Sequence, residues 1–138
     1  MSTANIQLVQ RWFEEVWNQR RAETIDELLT ADSVCYADDG PLRGPEEFRS
    51  RQHTPFISAF PDLRVEIEAT ISQGDQVVVR WNATAQHAGN GLGIPATLEK
   101  VTFRGVTWIL VCDGKLAEGW QYSNIPEVLR ELATKAVV

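Results

Sequence analysis

Residues 63–87, LRVEIEATISQGDQVVVRWNATAQH, decide the fold class. Leu63, Val65, Ile67 and Ala69 fall on one face of an extended chain, with polar residues between them. Strand side chains point to opposite faces in turn, so a period of two marks a half-buried strand. Gly74-Asp75 interrupts the run, and alternation then resumes: Val77, Val79, Trp81, Ala83, Ala85 and His87 contrast with Arg80, Asn82, Thr84 and Gln86. Two such runs around a tight turn are a hairpin. Downstream, AGNGLGIP (88–95) reads as a loop and TLEKVTFRGVTWILV (97–111) as a long third strand. Asp113-Gly114 is a two-residue turn signal of primed geometry, leading into KLAEGWQYSN (115–124) as the last strand.

Upstream the period lengthens. Ile6, Val9, Phe13, Val16 and Trp17 recur at three- and four-residue steps, predicting a helix over 4–19. Ile25, Leu28 and Leu29 predict a second over 22–30, and SVCYADDG (33–40) a short strand stopped at Gly40-Pro41. Pro45, with Glu46 and Glu47 behind it, opens a third helix, because proline and acids suit a first helical turn. Pro55 falls too late for a straight continuation and predicts a kink, or a restart capped by Thr54, before FPDL ends the helix. Pro126 starts a closing helix through Leu129 and Leu132. Helices followed by an antiparallel meander make an α+β fold. The expected architecture is one domain over 1–138, a curved antiparallel sheet forming a cone covered by three N-terminal helices.

Composition limits the function. The chain has 138 residues, 43% of them apolar, which is enough for a real core. Lys and Arg number 13 against 19 Asp and Glu, a formal charge of −6 with no basic block, which argues against a nucleic-acid partner. No apolar run is long enough to cross a bilayer. The N-terminal MSTANIQLVQRW lacks the pattern of a secretory signal, so a cytoplasmic location is expected. Cys35 and Cys112 read as lone thiols, and two histidines without clustered cysteines predict no metal site. Trp12, Trp17, Trp81, Trp108 and Trp120 are many for this length. Core packing accounts for most of them, and lining a cavity for a flat apolar ligand is the sharper reading.

AFPDLRVEIE (59–68), GDQVVVRW (74–81), HAGNGLGIPAT (87–97) and DGKLAEGW (113–120), in this order and spacing, resemble the SnoaL-like polyketide cyclases. That family lies within the nuclear-transport-factor-2-like fold, which also holds ketosteroid isomerase. The resemblance spans nearly the whole chain. It implies a cofactor-free cyclase or isomerase using acid/base chemistry on an apolar or aromatic carbonyl compound bound in the cone, and a homodimer formed through the sheet. Alternatives are a binding protein of the same fold without catalysis, or a relative that hydroxylates its substrate with molecular oxygen. Two departures stand out. The family cyclases carry an aspartate base four residues after the last-strand tryptophan, where this chain has Asn124. An amide cannot take that proton. The family's Pro-Thr-Gly is Ala96-Thr97-Leu98 here.

An aldol-type ring closure needs a base beside a carbonyl and donors for the enolate oxygen. Asp38, at the end of the first strand, resembles the base position of ketosteroid isomerase; the plain alternative is a solvated turn acid beside Asp39. His87 lies on the apolar face of its strand, as a core histidine or a catalyst, and His53 could face the cone mouth. Glu118, Trp120, Tyr122 and Asn124 alternate along the last strand and are expected to share a face lining the pocket, with the aromatics as walls and Asn124 as a polar anchor. Trp17, Tyr36, Phe56, Trp81 and Phe103 complete the expected lining, with Tyr36 and Tyr122 able to donate to an oxyanion.

Overall fold

The computed structural model describes residues 2–136; Met1, Val137 and Val138, which the domain reading included, lie outside the described residues. Helix α1 (Ser2–Trp12) runs directly into a π-helical turn, Phe13–Asn18, and α2 (Ala22–Leu28) follows. Strands β1 (Leu29–Ala37) and β2 (Gly40–Arg43) form a hairpin with Asp38 and Asp39 at its tip. The next rod is α3 (Gly44–Phe48), a π-helical turn Arg49–His53, and α4 (Thr54–Ala59). Then come β3 (Arg64–Gln73), β4 (Gln76–Gln86), β5 (Lys100–Cys112), β6 (Lys115–Ser123) and α5 (Ile125–Ala136). The sheet order is β2-β1-β6-β5-β4-β3, antiparallel except for the parallel pair β1/β6. This is the expected α+β architecture. No helix is long and apolar enough to cross a membrane among the described residues.

Pro55 neither breaks the third helix nor makes Thr54 a cap, since Thr54 is itself helical at φ −61° and ψ −48°. Proline lacks the N–H that would bond back to Arg51. The chain widens into the π-helical turn just before it, and the rod continues. Strand β2, which the sequence reading did not foresee, follows a turn that Gly40 allows with φ +124°.

Two bulges fix which side chains enter the cone. In β3, Ile67 pairs with Trp81 and Ala69 with Arg80, leaving Glu68 without a partner. Val65 is buried opposite Ala83, but Ala69 is exposed beside Arg80, against the expectation that it continues the inner face. In β6, Val111 pairs with Leu116 and Leu110 with Glu118, leaving Ala117 unpaired. An extra residue in one strand reverses the alternation beyond it. Without it, the tight Asp113-Gly114 turn would set Glu118 opposite Ile109, a residue in the core. With it, Gly119, Gln121 and Ser123 oppose Ile109, Thr107 and Gly105 on the inner side. Asp113 (φ 51°) and Gly114 (φ 75°) have the positive φ pair of the primed turn that the sequence predicts.

The core fills the cone with Val9, Val16, Ile25, Phe60, Val77, Val79 and Phe103, all essentially inaccessible. The 88–99 loop is laid directly on α4: Ala88 and Gly89 donate backbone N–H groups to the Ala59 carbonyl, each at 3.1 Å. A Cβ on Gly89 would stand 1.9 Å from the Ser58 carbonyl oxygen, so only glycine fits.

Candidate functional site

The inner row of β6, not its aromatic row, reaches the cone. Trp120 pairs with Trp108, and Tyr122 with Val106, on the outer face, where Trp108 is 45% and Tyr122 68% exposed. Tyr36 is outside too, stacked on Trp120 with ring centroids 5.7 Å apart. The expectation that Tyr36, Trp120 and Tyr122 wall the pocket is therefore corrected, and the Ala117 bulge is the reason. Glu118, opposite Leu110, follows the same reversed alternation, yet it borders the first of the cavities described below.

Asn124 is also engaged elsewhere. Its Oδ1 accepts the Arg104 N–H at 2.8 Å and its Nδ2 donates to the Thr102 carbonyl at 3.3 Å. Its own N–H donates to the Arg104 carbonyl at 3.1 Å and its carbonyl accepts from Val128 at 3.0 Å. The side chain thus extends the β5–β6 ladder where the backbone turns into α5, each amide atom making one hydrogen bond there.

His87 is fully buried against Phe60, with ring centroids 5.5 Å apart. The Thr97 N–H donates to its Nδ1 at 3.2 Å, which places the proton of the neutral ring on Nε2. That Nε2 has no partner among the described residues, and His87 borders none of the cavities described below. It fastens the 88–99 loop to the sheet. His53 is buried as well, its Nε2 donating to the Val16 carbonyl at 2.7 Å and its ring 5.2 Å from Trp17. Burial lowers its pKa below 6.5, outweighing the bond to Val16, while Arg20 and Arg49 push the same way as burial. Both histidines hold elements together.

Trp17, Phe56, Trp81 and Phe103 do come together, around two adjoining cavities of about 50 and 40 Å³. Trp81 is pinned by its Nε1–H, which donates to Thr107 Oγ1 at 2.9 Å. Phe56 lies 5.3 Å from Phe103 and 5.9 Å from Trp17 between ring centroids. Cavities of this size hold a few waters. Both are bordered by Phe13, Trp17 and Gln121. Through Gln52, Phe56 and Ile125 the second adjoins a larger hollow of about 390 Å³ at the cone mouth. Asp38, Asp39, Arg51 and Arg130 supply its charges, and Leu92 and Leu129 part of its apolar wall.

Asp38 is the polar centre of this arrangement. Ser123 Oγ donates to its Oδ2 at 2.6 Å, Gln121 Nε2 to Oδ2 at 3.3 Å and the Ser123 N–H to Oδ1 at 3.1 Å. A carboxylate offers roughly four acceptor positions, so one on Oδ1 stays open. Ser123 Oγ also accepts the Ile125 N–H at 3.1 Å, tying the start of α5 to the same carboxylate. Neighbouring Cys35 is desolvated and lies near Asp38 and Asp39; burial first, then those charges, push its thiol up to about 12, so it stays protonated. The sequence reading missed Gln121, Ser123 and Gln52. The signal for the first two was Glu118, an acid in the phase of buried Leu116, which calls for a bulge. Gln52 carried no local mark. No group of three or more metal-binding side chains occurs among the described residues.

The comparisons with known proteins agree with this fold. The family model described as SnoaL-like polyketide cyclase matches residues 7–132. The chain belongs to that family. A SnoaL-like structure from Jannaschia sp. CCS1, provisionally named a polyketide cyclase, is 25% identical with a TM-score of 0.86, covering 95% of this chain and 92% of that one. AclR from Streptomyces galilaeus, provisionally named a hydroxylase, is 25% identical with a TM-score of 0.76, covering 96% and 80%. A provisionally named polyketide cyclase from Acidithiobacillus ferrooxidans is 23% identical with a TM-score of 0.79, covering 98% of both chains. At that identity it speaks for the SnoaL-like fold alone. Comparison with the curated proteins gave no match.

Proposed function

We propose that this SnoaL-like protein binds a small carbonyl compound at the cone mouth and removes a proton from the carbon beside the carbonyl, with Asp38 as the base. The observation that carries this reading is the carboxylate fixed by three hydrogen bonds, with an open Oδ1 position, on the wall of the 390 Å³ hollow. Ligand sites commonly occupy about 300–1,000 Å³. Gln52 borders both that hollow and the inner cavity, and its side chain makes no hydrogen bond among the described residues. Its amide is the donor for the enolate oxygen. The abstracted proton returns to another carbon in an isomerisation, or the enolate carbon bonds to a second carbonyl whose oxygen, left as an alkoxide, takes the proton back from Asp38. Conjugation in the substrate spreads the charge, so the chemistry needs no cofactor.

Solvent-deuterium incorporation into cyclic 1,3-diketones and aryl ketones, followed by NMR, tests the assignment. The protein accelerates exchange, and Asp38→Asn abolishes it while ligand-induced thermal stabilisation persists. Equal exchange by D38N would remove Asp38 from the base role. The non-catalytic alternative is favoured by the occupied amide of Asn124 at the family's base position. It predicts stabilisation by ligand without exchange in the unaltered protein. A product heavier by one oxygen would instead indicate hydroxylation. The exposed outer row of Tyr36, Trp108 and Tyr122 supports a homodimer through the sheet.

A further inference from the structure

We infer that the mouth selects a compact oxo acid, its anionic end held by Arg130 and Arg51 and its carbonyl end turned to Asp38. The inference rests on the reading of the mouth as the substrate site. Size comes first. The inner cavities hold only about 50 and 40 Å³, the second of them lined by Trp17, Phe56, Trp81 and Phe103, so a polycyclic ring system has no room inside the cone. The ligand body is confined to the 390 Å³ hollow, against Phe56, Leu92 and Leu129.

Charge then sets its orientation. The Arg130 guanidinium has no hydrogen bond or ion pair among the described residues, and Arg51 has one loose contact with Glu47 at 3.6 Å. By contrast, Arg11, Arg21 and Arg49 each engage two carboxylates. Two under-compensated guanidiniums beside an apolar wall are suited to a carboxylate. The opposite end is fixed by the chain Asp38–Ser123–Ile125, which anchors the start of α5 at the Asp38 carboxylate. Arg130 stands five residues further along α5, about 7.5 Å of helix rise. Asp38 and Asp39 repel an anion from the start of α5 and Arg130 attracts it further along, with Arg51 adding to the positive charge of the same hollow, so the ligand's acid and carbonyl are separated along the helix.

Calorimetric titration of 4-oxo-4-phenylbutanoate, its methyl ester and anthraquinone at low salt tests this. The acid binds roughly tenfold tighter than the ester, the difference a charged hydrogen bond makes. Arg130→Gln brings the acid down to the ester's affinity, added salt narrows the gap, and anthraquinone does not bind. Equal affinity of acid and ester in the unaltered protein, or a preference that survives the double substitution R51Q/R130Q, overturns the anion selection and leaves the site reading standing. Tighter binding of anthraquinone overturns the size limit. Binding of none of the three overturns the reading of the mouth as the site, and the inference with it.

Discussion

Changing Asn124 to aspartate exchanges one NH₂ for an oxygen and restores the residue type that the family cyclases carry at this position. Here it is expected to cost stability. The Arg104 N–H keeps its acceptor at 2.8 Å, now a charged one. The donor at 3.3 Å from the Thr102 carbonyl is replaced by a carboxylate oxygen facing that carbonyl, in a half-buried position. Loss of one hydrogen bond and an oxygen–oxygen repulsion, less the stronger bond to Arg104, leaves a net cost of about 1–2 kcal/mol. For a chain of this size that lowers the melting temperature by about 3–6 °C at pH 7. The repulsion disfavours the ionised form in the folded state, so the new carboxyl has a folded pKa above its unfolded value near ~3.9. The deficit is therefore complete above the folded pKa and shrinks as pH falls through it, where the protonated acid can donate to Thr102. Urea unfolding of both proteins at pH 7 and pH 4.5 measures it. A variant as stable as the parent, or a deficit that does not shrink in acid, would refute the reading of Asn124 as a ladder extension.

Burial holds the His53 pKa below its ordinary 6.5, so its contribution to stability is complete above that value and is lost as pH falls toward the folded pKa. His53→Gln keeps a donor for Val16 and should flatten the loss of melting temperature between pH 6.5 and 5; an unchanged slope assigns that loss to another group. Leu98 adopts φ 63° in an exposed position where the family motif has glycine, so Leu98→Gly should stabilise the chain by about 0.5–1 kcal/mol, read as a rise in urea midpoint. A lower midpoint would mean that Leu98 packs in a way its exposure does not reveal. The homodimer proposed through the sheet predicts that replacing Trp108 and Tyr122 with lysine lowers the sedimentation coefficient from a dimer's to a monomer's; a parent protein that already sediments as a monomer would overturn that proposal.

The helices, the hairpins and the α+β order were legible because each is written in a local period or turn signal. The cone-facing set was only half legible. Val77, Val79, Trp81, Ala83 and Ala85 point inward as their alternation says, because β4 has no bulge. Trp120 and Tyr122 point outward because Ala117 is spare, a fact whose one local sign is Glu118 in the phase of buried Leu116 and whose position is set by the partner strand. The same holds for Ala69 beyond Glu68. Gln121 and Ser123 were hidden by that reversal. The parallel pairing of β1 with β6, which brings them to Asp38, depends on contacts between distant parts of the chain that no local pattern encodes.

That pairing has a consequence for the order of assembly. Asp38 is bonded to residues 83 and 85 positions later in the chain. Closing so long a loop has a large entropic cost, so contacts of this range form late and slowly. During synthesis, the β3–β4 hairpin at the sheet edge can form while β6 is still being made, but the carboxylate has no support until the chain is nearly complete. A nascent chain stopped before Lys115 would hold the β1–β2 hairpin and the β3–β4–β5 meander as two unjoined pieces and no organised acid. Competence of the site therefore reports that the two halves of the polypeptide have met, because β6 is the strand that joins them, and losing β6 would silence the site and divide the sheet at once.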